Sequence, residues 1–124
     1  MQADSRRHRH GKKGEDGAAT YLAKQGWTVI DRNARFPVGE IDLVATRGKE
    51  LWFFEVKTRG PESLIPAREA LQPRQLKRLR RAAEWYIVHK GPAWEEYPVS
   101  FGFLAVELDA SGSIDEIELI EETL

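Results

Sequence analysis

Two acids and a lysine set in a strongly apolar stretch are the residues of this chain best suited to chemistry: Asp42 in Gly39-Glu40-Ile41-Asp42-Leu43, and Glu55 and Lys57 in Phe54-Glu55-Val56-Lys57. Side chains alternate along a strand, so Glu40 and Asp42 share one face, as do Glu55 and Lys57. On neighbouring strands, three carboxylates and one lysine would converge. Their neighbours Ile41, Leu43, Val44, Trp52, Phe53, Phe54 and Val56 make the stretch too apolar for a solvated surface strand. Charge in such a setting is costly unless it is paired or holds a metal. Mg²⁺ is commonly held by one or two carboxylates together with substrate phosphates and water, so Asp42 and Glu55 would suffice for one or two Mg²⁺ or Mn²⁺ ions. A cation there makes a water a better nucleophile toward phosphorus, and a lysine two residues past a ligand can orient that water or offset charge on the phosphate. The other reading of the same residues is a set of ion pairs on a half-exposed sheet.

The elements that must position these groups are legible from hydrophobic period and turn residues. Gly39 to Ala45 and Leu51 to Thr58 read as antiparallel strands, with Thr46-Arg47-Gly48-Lys49-Glu50 as their turn. Lys12 to Gln25 reads as a helix stopped by Gly26. Its apolar residues Ala18, Ala19 and Leu22 lie three, four and seven positions after Glu15, which aims that acid toward the sheet or leaves it as a first-turn glutamate favoured by the helix dipole. Trp27 to Ala34 is a strand, and residues 35–39 turn into the hairpin. Gly60-Pro61-Glu62-Ser63 and Pro66 make a loop beside the charged edge. Pro73 suits the first turn of a helix running to Lys90, with Leu76, Leu79, Ala83 and Tyr86 as its buried stripe and Gly91-Pro92 as its stop. Along that helix Arg74, Lys77, Arg78 and Arg81 line up on one side, flanked by Arg80. Like charges at this spacing repel, by about 0.2 to 0.5 kcal/mol per pair, unless phosphates neutralise them. Tyr97 to Leu108 is apolar enough for a strand buried on both faces. Residues 109–113 turn, and Ile114 to Ile120 is an edge strand or a short helix.

The pattern Gly39-Glu40-Ile41-Asp42-Leu43, followed thirteen residues after Asp42 by Glu55 in Phe54-Glu55-Val56-Lys57-Thr58-Arg59, resembles the PD-(D/E)XK nuclease superfamily. More narrowly, from about Gly11 to Val106, the chain is similar to the UPF0102 (YraN-like) family, related in fold to Holliday-junction resolvases. The resemblance implies a metal-dependent DNA endonuclease that hydrolyses phosphodiester bonds in branched or flapped DNA. Its rival from another class is a non-catalytic nucleic-acid-binding module with a nuclease-like fold. By the same resemblance Asp42, Glu55, Lys57 and Glu15 are the catalytic set, and Asp42, Glu55, Glu15 and Glu40 the ligands of Mg²⁺ or Mn²⁺. Arg35, Arg59, Arg74, Gln75, Lys77, Arg78 and Arg81 are the nucleic-acid-binding residues. Gly14-Glu15 matches the glycine-glutamate of the family's first helix, where the acid approaches the metal site, and Asn33 with Arg35 resembles its asparagine-x-arginine. Two departures stand out: Ser100-Phe101-Gly102 where the family usually has arginine-phenylalanine-aspartate, and Gln75 where it often has lysine.

A chain of 124 residues supports one domain with one core. The fold expected is α/β: a single domain with a central mixed sheet flanked by helices, ordered α-β-β-β-α-β with room for one more strand, like a restriction-endonuclease core. Residues 1–10, with Arg6, Arg7, Arg9, His8 and His10, read as a disordered basic arm, and 11–124 as the domain. There is no cysteine, hence no disulfide framework or thiolate metal site, and the first ten residues lack the apolar core of a signal peptide. A cytoplasmic location is expected, with no membrane partner. The net charge of −1 hides an asymmetry: all 19 Lys and Arg lie in residues 1–90 with 11 acids, while residues 91–124 hold nine acids and no Lys or Arg. A basic footprint for phosphates is therefore compatible with a near-neutral chain. A four-way DNA substrate requires two cuts, which would call for a homodimer.

Overall fold

A computed structural model describes residues 2–90, 94 and 96–122, with side chains from residue 11 onward. Helix α1 (Gln2–Lys24) is followed by strands β1 (Thr28–Phe36), β2 (Gly39–Arg47) and β3 (Glu50–Arg59). A 3-10 turn at Ala67–Ala70, helix α2 (Pro73–Lys90), and strands β4 (Val99–Leu108) and β5 (Ile114–Glu122) complete the chain. The five strands form one mixed sheet in the order β1-β2-β3-β4-β5, antiparallel except for β3 and β4. A parallel pair needs a crossover of a dozen residues or more, and the segment carrying α2 provides it. The expected α/β order is observed, and the chain from Ile114 is an edge strand, not a short helix. The expected helix stop at Gly91-Pro92 lies outside the described residues. Among the described residues no helix is long and apolar enough to cross a membrane.

Helix α1 begins at Gln2, well before the Lys12 expected, so residues 2–10 are continuous with it. The stretch lacks an apolar stripe. It also lacks proline and is rich in arginine, a good helix former, so it extends a helix already nucleated by its packed portion.

The helices cover opposite faces of the sheet. Ala18 and Leu22 of α1 pack with Trp27, Leu43, Ala45, Trp52, Phe54, Leu104 and Val106. Leu79, Ala82, Ala83 and Tyr86 of α2 pack with Ala34, Ile41, Val44, Leu51, Phe53 and Phe101. Strand β4, apolar on both faces, is central and almost wholly buried, as its composition requires.

Gly14 lies where α1 comes close against the sheet, and a Cβ there would overlap the Thr58 side chain. Gly14→Ala should therefore destabilise the protein. Alanine recovers up to about 1 kcal/mol of helix propensity, but forcing a methyl against a stiff β-branched side chain costs about 1 to 3 kcal/mol. The expected result is a melting temperature a few degrees lower, measured by thermal denaturation.

Candidate active site

Strands β2 and β3 pair from Arg47↔Glu50 at the hairpin turn to Leu43↔Phe54, and beyond that point they part. Strand β2 stays with β1, through Ile41↔Ala34 and Glu40↔Arg35, while β3 stays with β4, through Glu55↔Phe103 and Lys57↔Ala105. The fork opens where Asp42 and Glu55 stand. Side-chain alternation slips there as well. Ile41 packs beneath α2 and Leu43 beneath α1, although residues two apart in a regular strand face the same way. Asn33, on the neighbouring strand, has a left-handed backbone with φ 52°, and it lies between the register pairs Arg32↔Leu43 and Ala34↔Ile41. Asp42 sits at this slip, and its Oδ2 accepts a 2.7 Å hydrogen bond from the Val56 N–H, bridging the fork with a side chain where a strand carbonyl would otherwise do so.

A cleft of about 260 Å³ occupies the fork on the α2 side, lined by Glu40, Asp42, Glu55, Lys57, Gln75 and Arg78 among others. The cleft thus gathers the three carboxylates and the lysine that strand alternation places together. Burial pushes the Asp42 carboxyl up to about 7, against the opposing hydrogen bond from Val56 and with help from the negative charges of Glu55, Glu15 and Glu40. Burial also raises Glu55, opposed chiefly by the nearby cations Lys57 and Arg78. Lys57 Nζ stands 3.7 Å from Glu55 Oε1, while Glu55 Oε2 is buried without a hydrogen-bond partner. An orphaned buried carboxylate oxygen beside a second carboxylate raised chiefly by burial, and further by its acidic neighbours, is a site short of positive charge.

A family described as "Uncharacterised protein family UPF0102" matches residues 14–118. The chain belongs to the UPF0102 family. A UPF0102 protein of Moorella thermoacetica is 38% identical over 115 residues, 93% of this chain and 94% of its own. One from Dictyoglomus thermophilum is 37% identical over 111 residues, 89% and 92% of the two chains. One from Shewanella sediminis reaches 54% identity over 78 residues, 63% and 67% of the two chains. The UPF0102 match spans the second half of α1, all of α2, the fork and all or part of every strand.

The remaining acids expected at the UPF0102 site are placed differently. Glu15 Oε1 accepts from Arg32 Nη2 at 3.1 Å and from Asn33 Nδ2 at 2.8 Å, on the α1 side of the slip. It is near enough to raise Asp42 but does not line the cleft. Glu40 lines the cleft's outer rim, half-exposed and 3.7 Å from Arg35. Among the described residues no three His, Cys, Asp or Glu side chains are grouped to hold one cation; Asp42 and Glu55 are the two acids that stand together at the fork. Strand alternation groups Glu40 with Asp42 but takes no account of the ion pair that draws Glu40 outward.

Arg32, which holds both Glu15 and Asp16, was not anticipated from sequence. Its partners lie 16 and 17 positions away, and only docking of α1 against β1 brings them together. Of the expected phosphate contacts, Arg78 and Gln75 line the cleft, whereas Arg74, Lys77 and Arg81 are exposed along α2 beside it. Gln75 is buried beside the expected stripe, in which Leu76 is partly buried and packs against the core. Its Oε1 accepts from the Gln72 N–H at 2.8 Å, which satisfies an orphan donor at the helix start. Arg59 lies on a separate concavity with Gly11 and Glu62, its Nη1 donating to the Thr58 carbonyl. At the departure Ser100-Phe101-Gly102, a Cβ on Gly102 would collide with the Phe54 ring, so Phe54 packs directly against the glycine backbone.

Proposed function

We propose that the protein is a divalent-cation-dependent DNA endonuclease that hydrolyses phosphodiester bonds, acting on branched or flapped DNA. The observation that carries this reading is the fork cleft, where Asp42 and the orphaned Glu55 Oε2 stand together with Lys57 and Arg78. The donors fit Mg²⁺ or Mn²⁺: both are carboxylate oxygens, two suffice when phosphate and water complete the shell, and a cation would favour the ionised form that burial, and secondarily the neighbouring acids, disfavour at Asp42. Bound at Asp42 and Glu55, it would supply Lewis-acid polarisation of the phosphate and acidification of a water. The protein's own groups do the rest. The Val56 N–H fixes Asp42 in orientation. Lys57 presents its ammonium to the phosphate or the attacking water at the same opening. Arg78 offers a fork of donors to a phosphate oxygen.

Beyond the cleft, Arg74, Lys77, Arg78, Arg80 and Arg81 make no ion pair among the described residues. A row of unneutralised cations on one helix supports a phosphate backbone as their partner. Reversing two of them, Arg74→Glu with Arg78→Glu, should weaken binding to DNA of any sequence. On duplex DNA each phosphate contact contributes about 0.9 to the slope of log affinity against log salt, so the slope should fall by roughly two. An unchanged slope in a salt titration would make this side of α2 a solvated surface.

The direct test incubates the purified protein with labelled linear, flapped and four-way DNA in Mg²⁺, Mn²⁺ or EDTA. Metal-dependent nicks that vanish with Asp42→Asn are expected. Binding without nicks would leave a nucleic-acid-binding module as the better reading.

A further inference from the structure

Helix α2 carries three of its cations and its surface aromatics on one stripe. Arg74, Arg78, Arg81, Trp85 and His89 follow one another at intervals of four, three, four and four residues, which keeps them on a single side of an α-helix. The stripe starts beside the fork cleft, where Arg78 is a lining residue, and Trp85 lies about 10 Å farther along the helix axis. Trp85 belongs to neither core cluster. It is partly exposed and stacks on the exposed His89 with ring centroids 4.7 Å apart and planes 12° apart. The His89 Nδ1–H donates to the Trp85 carbonyl at 2.9 Å, which fixes the imidazole in that plane. Phe36, at the end of β1, approaches Trp85 at 6.2 Å with its ring tilted by 37°. The result is a stacked aromatic platform whose exposed ring is His89, backed by Trp85, one step beyond a row of cations.

We infer that this stripe is a track for an unpaired DNA strand, its phosphates on Arg78 and Arg81 and a base stacked on the Trp85–His89 platform. The inference rests on the nuclease reading and gives it a substrate class: DNA with a single-stranded arm leaving the cleft along α2. Cations that follow a backbone together with an aromatic face for its bases are the means by which proteins hold single strands without reading sequence. In a duplex the base faces are already stacked, so the platform has nothing to offer it.

The test measures fluorescence anisotropy of the full chain in EDTA, at one fixed salt concentration, with a labelled oligothymidine and with a duplex of equal length. Trp85→Leu should weaken single-strand binding about 10-fold, the effect of losing one stacked base, and leave duplex binding within about twofold. Trp85→Phe should restore most of the loss, and His89→Ala, which removes the exposed ring of the stack, should give a comparable loss of the same selectivity. His89→Ala alters only an exposed side chain, so it decides the matter even if Trp85→Leu fails to fold. Equal weakening on both DNAs, or none on the single strand, overturns the platform. If the variants bind like wild type while wild type still cuts flapped DNA with Mg²⁺, the nuclease reading stands and the platform alone falls. A wild-type protein that binds neither DNA overturns both.

Discussion

Lys57→Ala should lower the single-turnover rate of DNA cleavage by about 10² to 10⁴ while DNA affinity stays within a few-fold of wild type. A positioned donor or proton-transfer group that acts mainly in the transition state contributes on that scale, and its loss appears in the rate rather than in binding. The sequence alone allows a rival outcome, in which Lys57 is a buried salt-bridge partner of Glu55 and its removal costs about 3 to 5 kcal/mol of stability. The geometry argues against that outcome. The two side chains are 25% and 23% exposed and their charged atoms are 3.7 Å apart, a loose, partly solvated pair of the kind worth about 0 to 1 kcal/mol. The melting temperature should therefore change little. Lys57 also holds down the Glu55 carboxyl, so the comparison belongs at saturating Mg²⁺, where a shift in Glu55 does not limit the rate. A variant that melts early yet cuts normally when folded would take Lys57 out of the chemistry.

Asp42→Asn and Glu55→Gln should each reduce cleavage by about 10³ or more, since a cation's stabilisation of the transition state amounts to several kcal/mol. In the metal-free protein Asp42→Asn should do the opposite to stability. The folded-state carboxyl is raised to about 7 from an ordinary value of 3.8, so across that window the folded chain holds a proton that the unfolded chain has released. Stability therefore falls as pH rises from about 4 through about 7. The Asp42→Asn protein escapes that loss and should melt above wild type at pH 8, with the difference closing by pH 4. Mg²⁺ should raise the melting temperature of wild type and leave that of either variant unchanged, a readout independent of cleavage. Wild-type cleavage by either variant, or an equal Mg²⁺ response in all three proteins, would remove the cation from this cleft. Asparagine is the informative substitution because its amide oxygen can still accept from Val56. Asp42→Ala would leave that N–H without its partner, a cost of about 1 to 3 kcal/mol that offsets any relief of repulsion.

Much of this architecture is encoded locally. The period of two in residues 39–59, the apolar continuity of Tyr97 to Leu108 and the helical spacing after Pro73 each follow from side-chain burial over short distances, so the elements and their order are legible from the sequence. The same local rule places Glu40, Asp42, Glu55 and Lys57 toward one opening, and the acid-rich pattern around them identifies the family. The tertiary structure decided which of these acids remain together. The left-handed Asn33 and the parting of β2 from β3 turn Asp42 into the fork, onto the Val56 N–H. Docking of α1 gives Glu15 to Arg32 and Asn33, and an outward ion pair draws Glu40 to the rim. Period and spacing report which face a residue occupies. They carry no information about a backbone N–H fourteen residues away or an arginine on another strand, and those partners, set by packing, leave Asp42 and Glu55, whose Oε2 has no hydrogen-bond partner among the described residues, inside the cleft with Glu40 at its rim.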